Sequence, residues 1–399
     1  MRFSRNMEKI NMSKTAEVAD LALDLKEQGH KIINMATGEL SFKPAASIRK
    51  AACRTINKGE TLYTQVAGLN ELRNVISAKL KKDLKIEYKC DEIIVSNGGK
   101  QVIYNALQST INRGDEVIII SPYWVSYPEI IKLCGGKPKV LNTTRREGFS
   151  INTEKLEKLI TSKTKWIILN SPNNPTGVVY STETIKKLVL VLRKYPNIWI
   201  LSDEIYEKLN FSTERNLSVL HIDERLKERS LVVNGFSKGY CMTGWRLGYG
   251  AGPKLLIEAM IKIQSQSTSA ANTIAQNAAI KALELDNKHF KDIKTSLLRR
   301  RAIVISALSN LEGFDFNFSQ GAFYLFPSIK KFLGKRLNGN EVILNDTNFC
   351  TQLLSSEHVA TVPGSSFGSK DSIRISYALS EKDLRTGCKR IKRFCERLI

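Results

Sequence analysis

Lys238 and Arg246 stand eight positions apart in the stretch Asn234-Gly235-Phe236-Ser237-Lys238-Gly239-Tyr240-Cys241-Met242-Thr243-Gly244-Trp245-Arg246-Leu247-Gly248-Tyr249. A run of strand formers, Leu231-Val232-Val233, stops just before them at the turn formers Asn234-Gly235, which sets one amine and one guanidinium at the edge of a sheet. A lysine in such a place attacks a carbonyl as a neutral amine when burial and a nearby cation lower its pKa. The planar fork of an arginine suits a phosphate or a carboxylate instead. Taken alone, Lys238 also reads as one solvated lysine in a lysine-rich chain. Asp203 is harder to explain structurally. It follows Ile198-Trp199-Ile200-Leu201-Ser202, and a carboxylate after a buried strand is costly without a cationic or hydrogen-bonded partner.

Other strand ends carry further candidates. Gly98-Gly99-Lys100-Gln101 follows a strand and opens a helix, so free amides and the positive helix end suit a phosphate. The pattern is neither GxGxxG nor GxxxxGK[ST]. Trp124 lies in the aromatic group Ser121-Pro122-Tyr123-Trp124-Val125-Ser126-Tyr127-Pro128 and either packs in a core or stacks on a flat ring. Asn174 sits in Ser171-Pro172-Asn173-Asn174-Pro175-Thr176-Gly177, where two prolines stiffen the turn and fix its amide. Tyr206 follows Asp203 closely. Arg374, flanked by Ile373 and Ile375, faces opposite to two apolar neighbours in a strand. Gly38 closes a short strand over 31–35 and is either a turn glycine or an open backbone amide. Tyr63 stands in a segment too short for a packed helix and suits a surface or a subunit contact.

The positioning elements are regular. Helical periodicity covers 15–28, 45–58, 69–83 and 100–111, with strand patterns at 93–95, 116–120, 138–141, 166–170, 198–202, 231–233 and 247–250, and further helices between them. This alternation predicts an α/β fold with a mainly parallel sheet of seven strands covered on both faces, whose ligands bind at the carboxyl ends of the strands. After about residue 270 the pattern becomes long helices with strands at 321–326, 359–362 and 373–377 and a terminal amphipathic helix over 380–398. The expected organisation is a large domain over 46–310 and a smaller α+β domain formed by 1–45 and 311–399.

Composition excludes other classes. With 399 residues, 42% hydrophobic and 25% charged, the sequence reads as that of an ordinary globular protein. The formal net charge of +22 is spread along the chain rather than gathered in a block, which favours anionic small molecules over nucleic acid. Seven cysteines show no CxxC pair and no metal spacing. No signal core and no run long enough to span a membrane is visible, so a cytoplasmic protein with no metal and no membrane partner is expected.

A phosphate cradle, a stacking ring, an amide, a carboxylate, a phenol, a lysine and an arginine are together the requirements of one cofactor, pyridoxal 5'-phosphate. Ser171 to Gly177 (SPNNPTG), Ser202 to Tyr206 (SDEIY), Asn234 to Tyr249 and Arg374 to Tyr377 (RISY) resemble the class I aminotransferases of the aspartate aminotransferase fold. GGKQ and PYWVSYP point to a bacterial subgroup. The resemblance runs over nearly the whole chain. It implies a PLP-dependent fold type I homodimer with active sites shared at the subunit boundary and with amino acids and 2-oxo acids as substrates.

Carried over residue by residue, the resemblance gives Lys238 the Schiff-base role, Asp203 the pyridinium nitrogen, Tyr206 and Asn174 the ring 3-oxygen, and Trp124 the ring face. Ser237, Arg246 and the amides of Gly99, Lys100 and Gln101 would hold the phosphate, joined by Tyr63 of the other subunit. Arg374, with Asn174 and Gly38, would grip the substrate α-carboxylate, and Lys100 a distal carboxylate. Trp124 also borders the substrate. The expected activity is transfer of the amino group of aspartate to 2-oxoglutarate, with an aromatic or prephenate aminotransferase as the alternative and a basic nucleic-acid-binding or regulatory protein as a distant one. Thr37-Gly38-Glu39-Leu40-Ser41-Phe42 departs from the usual AGEPDF loop, which reshapes the cover over the substrate. Gly239 and Cys241 are also unusual at their positions.

Overall fold

The computed structural model describes residues 7–12, 14–212, 217–317, 319–339 and 341–399. Its largest sheet is built from β1 (Ile93–Ser96), β2 (Glu116–Ser121), β3 (Lys137–Asn142), β4 (Thr164–Asn170), β5 (Trp199–Asp203), β6 (Ser230–Gly235) and β7 (Gly248–Ala251). The strand order is β1-β7-β6-β5-β4-β2-β3, parallel throughout except for β7, which runs antiparallel to both neighbours. Helices α1 (Gly99–Thr110) and α2 (Ser126–Leu133) follow β1 and β2.

The near-continuous apolar runs of these strands are explained by burial on both faces. Successive side chains point to opposite sides, and they enter two different cores. Ile118, Ile120, Ile167, Leu169, Ile200 and Val232 pack on one face. Val117, Ile119, Trp166, Ile168, Leu231 and Val233 pack on the other. Each such burial contributes about 1.5–3 kcal/mol. With both faces consumed by packing, only the carboxyl edge of the sheet is left for polar side chains. Register brings them together there, with Asn170 at the end of β4 paired to Asp203 at the end of β5, and Asp203 to Val233 of β6.

A further core gathers Ile33, Met35 and Leu40 with Phe349, Ile375 and Phe394, and with Ile293, Leu297, Val304 and Leu308 of the long helix α3 (Asn287–Leu308). Its antiparallel sheet has β10 (Ile373–Ser376) between β8 (Tyr324–Leu325) and β9 (Val362–Pro363). Two strand expectations are corrected here. The 321–326 pattern yields only two paired residues, because Ala322 has φ of 56° and Gly321 is bridged to Asn210 instead. The 359–362 pattern splits at Thr361. Val359–Ala360 pairs with Ile33–Asn34, while Val362–Pro363 joins β10.

Candidate active site

One cavity of about 450 Å³ opens where the carboxyl edge of the large sheet meets β8, β10 and the segment around Gly38. Gly38, Gly99, Lys100, Trp124, Asn174, Asp203, Tyr206, Ser237, Lys238, Arg246 and Arg374 all border it. Gln101, expected to act through its backbone amide, and Tyr63, expected to act from the other subunit, are not part of this lining. Gln101 turns its side-chain oxygen back to accept from the amide of Asn97 at 2.7 Å. Tyr63 is 94% exposed and lies outside the cavity, beside the equally bare Leu62.

Lys238 follows β6 directly, and its Nζ donates to the carbonyl of Gly38 at 2.6 Å. Burial, then the positive charge of Arg374, lowers its pKa to about 8, against opposing pulls from Glu39 and Asp203. Asp203 is 6% exposed. Its Oδ2 accepts from the Tyr127 hydroxyl at 2.6 Å and its Oδ1 from the amide of Ile205 at 3.3 Å. Burial still pushes its pKa up to about 6, because those neutral donors only partly replace water around the charge. A cation on the cavity side would bring the carboxyl's pKa back down and hold it ionised over a wider pH range.

Asn170 ties the adjacent strand ends together. Its Nδ2 donates to the carbonyl of Asp203 at 3.0 Å, and its Oδ1 accepts from the amide of Asn174 at 2.9 Å. Asn174 Oδ1 in turn accepts from Arg374 Nη1 at 3.0 Å, while Arg374 Nη2 donates to the carbonyl of Ala36 at 2.6 Å. Arg374 is 2% exposed, lies 4.4 Å above the Tyr324 ring, and its Nε has no partner. A buried guanidinium with a spare donor suits an incoming carboxylate.

The phosphate-type corner is built by close packing. Arg246 adopts φ of 54°, with Nη1 donating to the carbonyl of Thr243 at 2.9 Å. A Cβ on Gly98, itself at φ of 90°, would lie 2.7 Å from Arg246 Nη2, so only glycine lets the guanidinium rest against the start of α1. Lys100 Nζ stands 5.1 Å over the Trp124 ring, its pKa lowered by burial and by Arg246. Gly239 gains a reason as well. A Cβ there would sit 2.8 Å from Cβ of Lys208, whose Nζ reaches Asp83 at 3.4 Å on the far side of the Lys238 turn.

Several residues in the cavity wall or directly behind it carry no signal in the sequence. Tyr127 lay within the aromatic group after β2, but nothing there indicated which ring meets Asp203. Tyr324 hydrogen-bonds Tyr206 through their hydroxyls at 3.1 Å. It sat in a strand pattern with no chemical signal. Asn170 was legible only as the polar end of an apolar strand. Glu39, Ile103, Ile205, Thr243 and Gly244 also line the cavity.

The model for aminotransferase class I and II matches residues 30–391. A Rhizobium leguminosarum bv. phaseoli protein named probable aspartate/prephenate aminotransferase is 44% identical over 389 residues, covering 98% of this chain and 97% of the relative. The Rhizobium meliloti (strain 1021) aspartate aminotransferase is 40% identical over 389 residues, with 98% and 95% covered. Among solved structures, an aspartate aminotransferase from Rhizobium meliloti superposes with a TM-score of 0.96 at 39% identity over 100% of both chains. The Thermus thermophilus aspartate aminotransferase with maleate gives 0.91 at 35% identity, over 99% of this chain and 100% of that one. Aminotransferases of this class use pyridoxal 5'-phosphate. The residues present fit that group, since a lysine of lowered pKa, a buried under-compensated carboxyl and a guanidinium against a helix start share one cavity. By its sequence, its fold and this site, the chain belongs to the class I and II aminotransferases.

Proposed function

We propose that this protein transfers the amino group of aspartate to 2-oxoglutarate, alternating between the two forms of its cofactor. The observation that carries the reading is the joint presence, in one cavity, of Lys238, Asp203 and two cations on separate elements, Arg374 and Lys100. Two cations match the two carboxylates of aspartate, glutamate and their oxo acids.

When bound, pyridoxal phosphate supplies a carbonyl that exchanges with amino groups and a ring that accepts electrons. Arg246, Ser237 and the amides of Gly99, Lys100 and Gln101 would hold its phosphate. Asp203, kept in place by Tyr127, would pair with the ring nitrogen and favour its protonated form. Tyr206 and Asn174 would donate to the ring 3-oxygen, and Trp124 would lie against the ring. Lys238, whose lowered pKa favours a neutral amine, would bond the cofactor's carbonyl carbon and serve as the base that takes and returns the substrate's α-proton. Arg374 binds the α-carboxylate and Lys100 the distal one, each excluding ligands that lack its partner.

The large lobe spans 46–310 and the small lobe 1–45 with 311–399. The working unit is a homodimer in which Tyr63 of one copy completes the phosphate site of the other. The adjacent exposure of Leu62 and Tyr63 supports this. Among the described residues, no helix is long and apolar enough to cross a membrane. We place the protein in the cytoplasm, with amino and oxo acids rather than nucleic acid as its partners.

A second reading, amino transfer to prephenate, is favoured by the name of the Rhizobium leguminosarum relative and by the aromatic and aliphatic wall of Trp124, Tyr324 and Ile103. Prephenate is also a dicarboxylate. Steady-state rates with aspartate, phenylalanine and prephenate separate the readings. Aspartate is expected to be turned over with the highest kcat/KM, and negligible aspartate turnover overturns the assignment.

A further inference from the structure

The segment from Ala36 to Phe42 covers the cavity and is held by three cations. Arg374 takes the carbonyl of Ala36, Lys238 that of Gly38, and Arg300 Nη1 donates to Ser41 Oγ at 2.9 Å. The first two belong to the site. Arg300 comes from the middle of α3 and touches none of the reacting groups.

Its surroundings are unusual for a guanidinium. Arg300 is 8% exposed, and its Nη1 also donates to the carbonyl of Ala378 at 2.8 Å. That carbonyl accepts the amide of Ser41 as well, at 3.1 Å. The guanidinium lies 4.3 Å from the centre of the Phe42 ring, and its Nε has no partner. Among the described residues Arg300 makes no ion pair, its hydrogen bonds going to a hydroxyl and a carbonyl. Glu381 adds only an attraction across space, and burying a cation whose hydrogen bonds all go to neutral acceptors is costly. What the arrangement secures is a single knot joining Ser41 and Phe42 of the cover to Ala378, four residues beyond Arg374 on the same run of chain.

We propose that Arg300 is a positioning residue for substrate binding, fixing the Gly38–Phe42 cover over the cavity and coupling it to the segment that carries Arg374. The substrate class rests on the transaminase reading above; the holding of the cover does not. With the knot intact, Gly38 and Glu39 stay at the cavity wall and Arg374 keeps one orientation. Without it, the cover samples open positions, and substrate binds only the fraction of molecules that are closed.

The test uses the full-length protein loaded with pyridoxal phosphate. Hydrogen exchange is followed by mass spectrometry on peptides covering 36–42 and 199–207. Arg300→Met is expected to speed exchange over 36–42 roughly tenfold while leaving 199–207 unchanged. Ser41→Ala, which leaves the guanidinium in place, should give a smaller acceleration. Ser41→Asp, which offers Arg300 a carboxylate, should slow exchange below wild type. In steady state Arg300→Met should raise KM for both amino and oxo acid roughly tenfold, with kcat within about twofold. Unchanged exchange over 36–42 in the Ser41 variants overturns the proposal even if Arg300→Met does not fold. So does an unchanged KM in a folded Arg300→Met protein. Exchange is read without turnover, so a wild-type enzyme that accepts no amino donor would sink the transaminase reading and leave the role of Arg300 in the cover to be judged by exchange alone.

Discussion

The wall of the cavity at the sheet edge and the cover opposite it are built on different principles. On the wall, Asn170 and Asp203 end strands whose two faces are buried, Lys238 comes just beyond a third, and neighbouring strand ends are stitched by register and by Asn170. On the cover, Tyr324 and Arg374 lie in the separate small sheet, and the Gly38–Ser41 loop, distant from it in sequence, is held to it and to the wall mostly by side-chain bonds such as Arg374 to Ala36, Arg300 to Ser41 and Lys238 to Gly38. A wall made by backbone pairing fixes atoms where chemistry needs them. A loop held mainly by side-chain bonds can yield to a substrate, and its failures should appear in binding more than in turnover.

The largest expected effect tests the wall. Lys238→Ala should lower the half-reaction with aspartate by roughly 10⁴-fold or more. It should also abolish the visible absorbance that pyridoxal phosphate acquires on addition to the protein. Persistence of either property would break the assignment of Lys238.

Asp203→Asn should lower the same rate by roughly 10²–10³-fold, with substrate affinity little altered, because the charge it removes acts on the electron-accepting ring. A rise in KM as the main change would move Asp203 from wall to cover.

Arg374→Lys probes the cover. One ammonium cannot reproduce the fork that reaches Asn174 and Ala36 while keeping Nε free. An increase in KM of roughly 10–100-fold for every amino and oxo acid is expected, with a smaller change in kcat. A selective loss of dicarboxylic substrates would instead mark Arg374 as the distal-carboxylate group.

A smaller effect separates the wall from its support. Tyr127→Phe deletes a hydrogen bond to the ionised form of Asp203, so the carboxyl pKa in the cofactor-free protein should rise further above about 6. Carbon NMR of labelled aspartate follows this directly, and an unmoved titration would show that Tyr127 does not set the charge. In the same cofactor-free protein the Nζ of Lys238 should titrate near pH 8. Burial favours its neutral form, so the folded state sheds this proton earlier than the unfolded chain, and this group's contribution to stability increases as pH rises from about 8 toward the ordinary lysine range.

The seven strands of the large sheet, the helices between them and the placement of Lys238, Asp203, Asn174 and Trp124 at the cavity were legible because each follows a local pattern, an apolar run that ends in a turn. Arg374 was legible through its two isoleucine neighbours. For Gln101 the sequence pointed to its backbone amide in the first turn of α1; that its side chain turns away to the amide of Asn97 is something a helix-opening motif does not show. Tyr63 remains outside the cavity of the single chain, where its role rests on a second copy.

The sequence by itself determined the alternation of strands and helices, the chemistry at each strand end and the family, since these depend on residues close together along the chain. Only the tertiary structure decided that Tyr127 supports Asp203, that Tyr324 underlies Arg374, that Gly239 makes room for Lys208 and that Arg300 ties the cover down. The physical reason is separation. Arg300 and Ser41 stand 259 positions apart, and a bond between them leaves no period or spacing in the sequence, because packing of the whole chain is what brings them within reach.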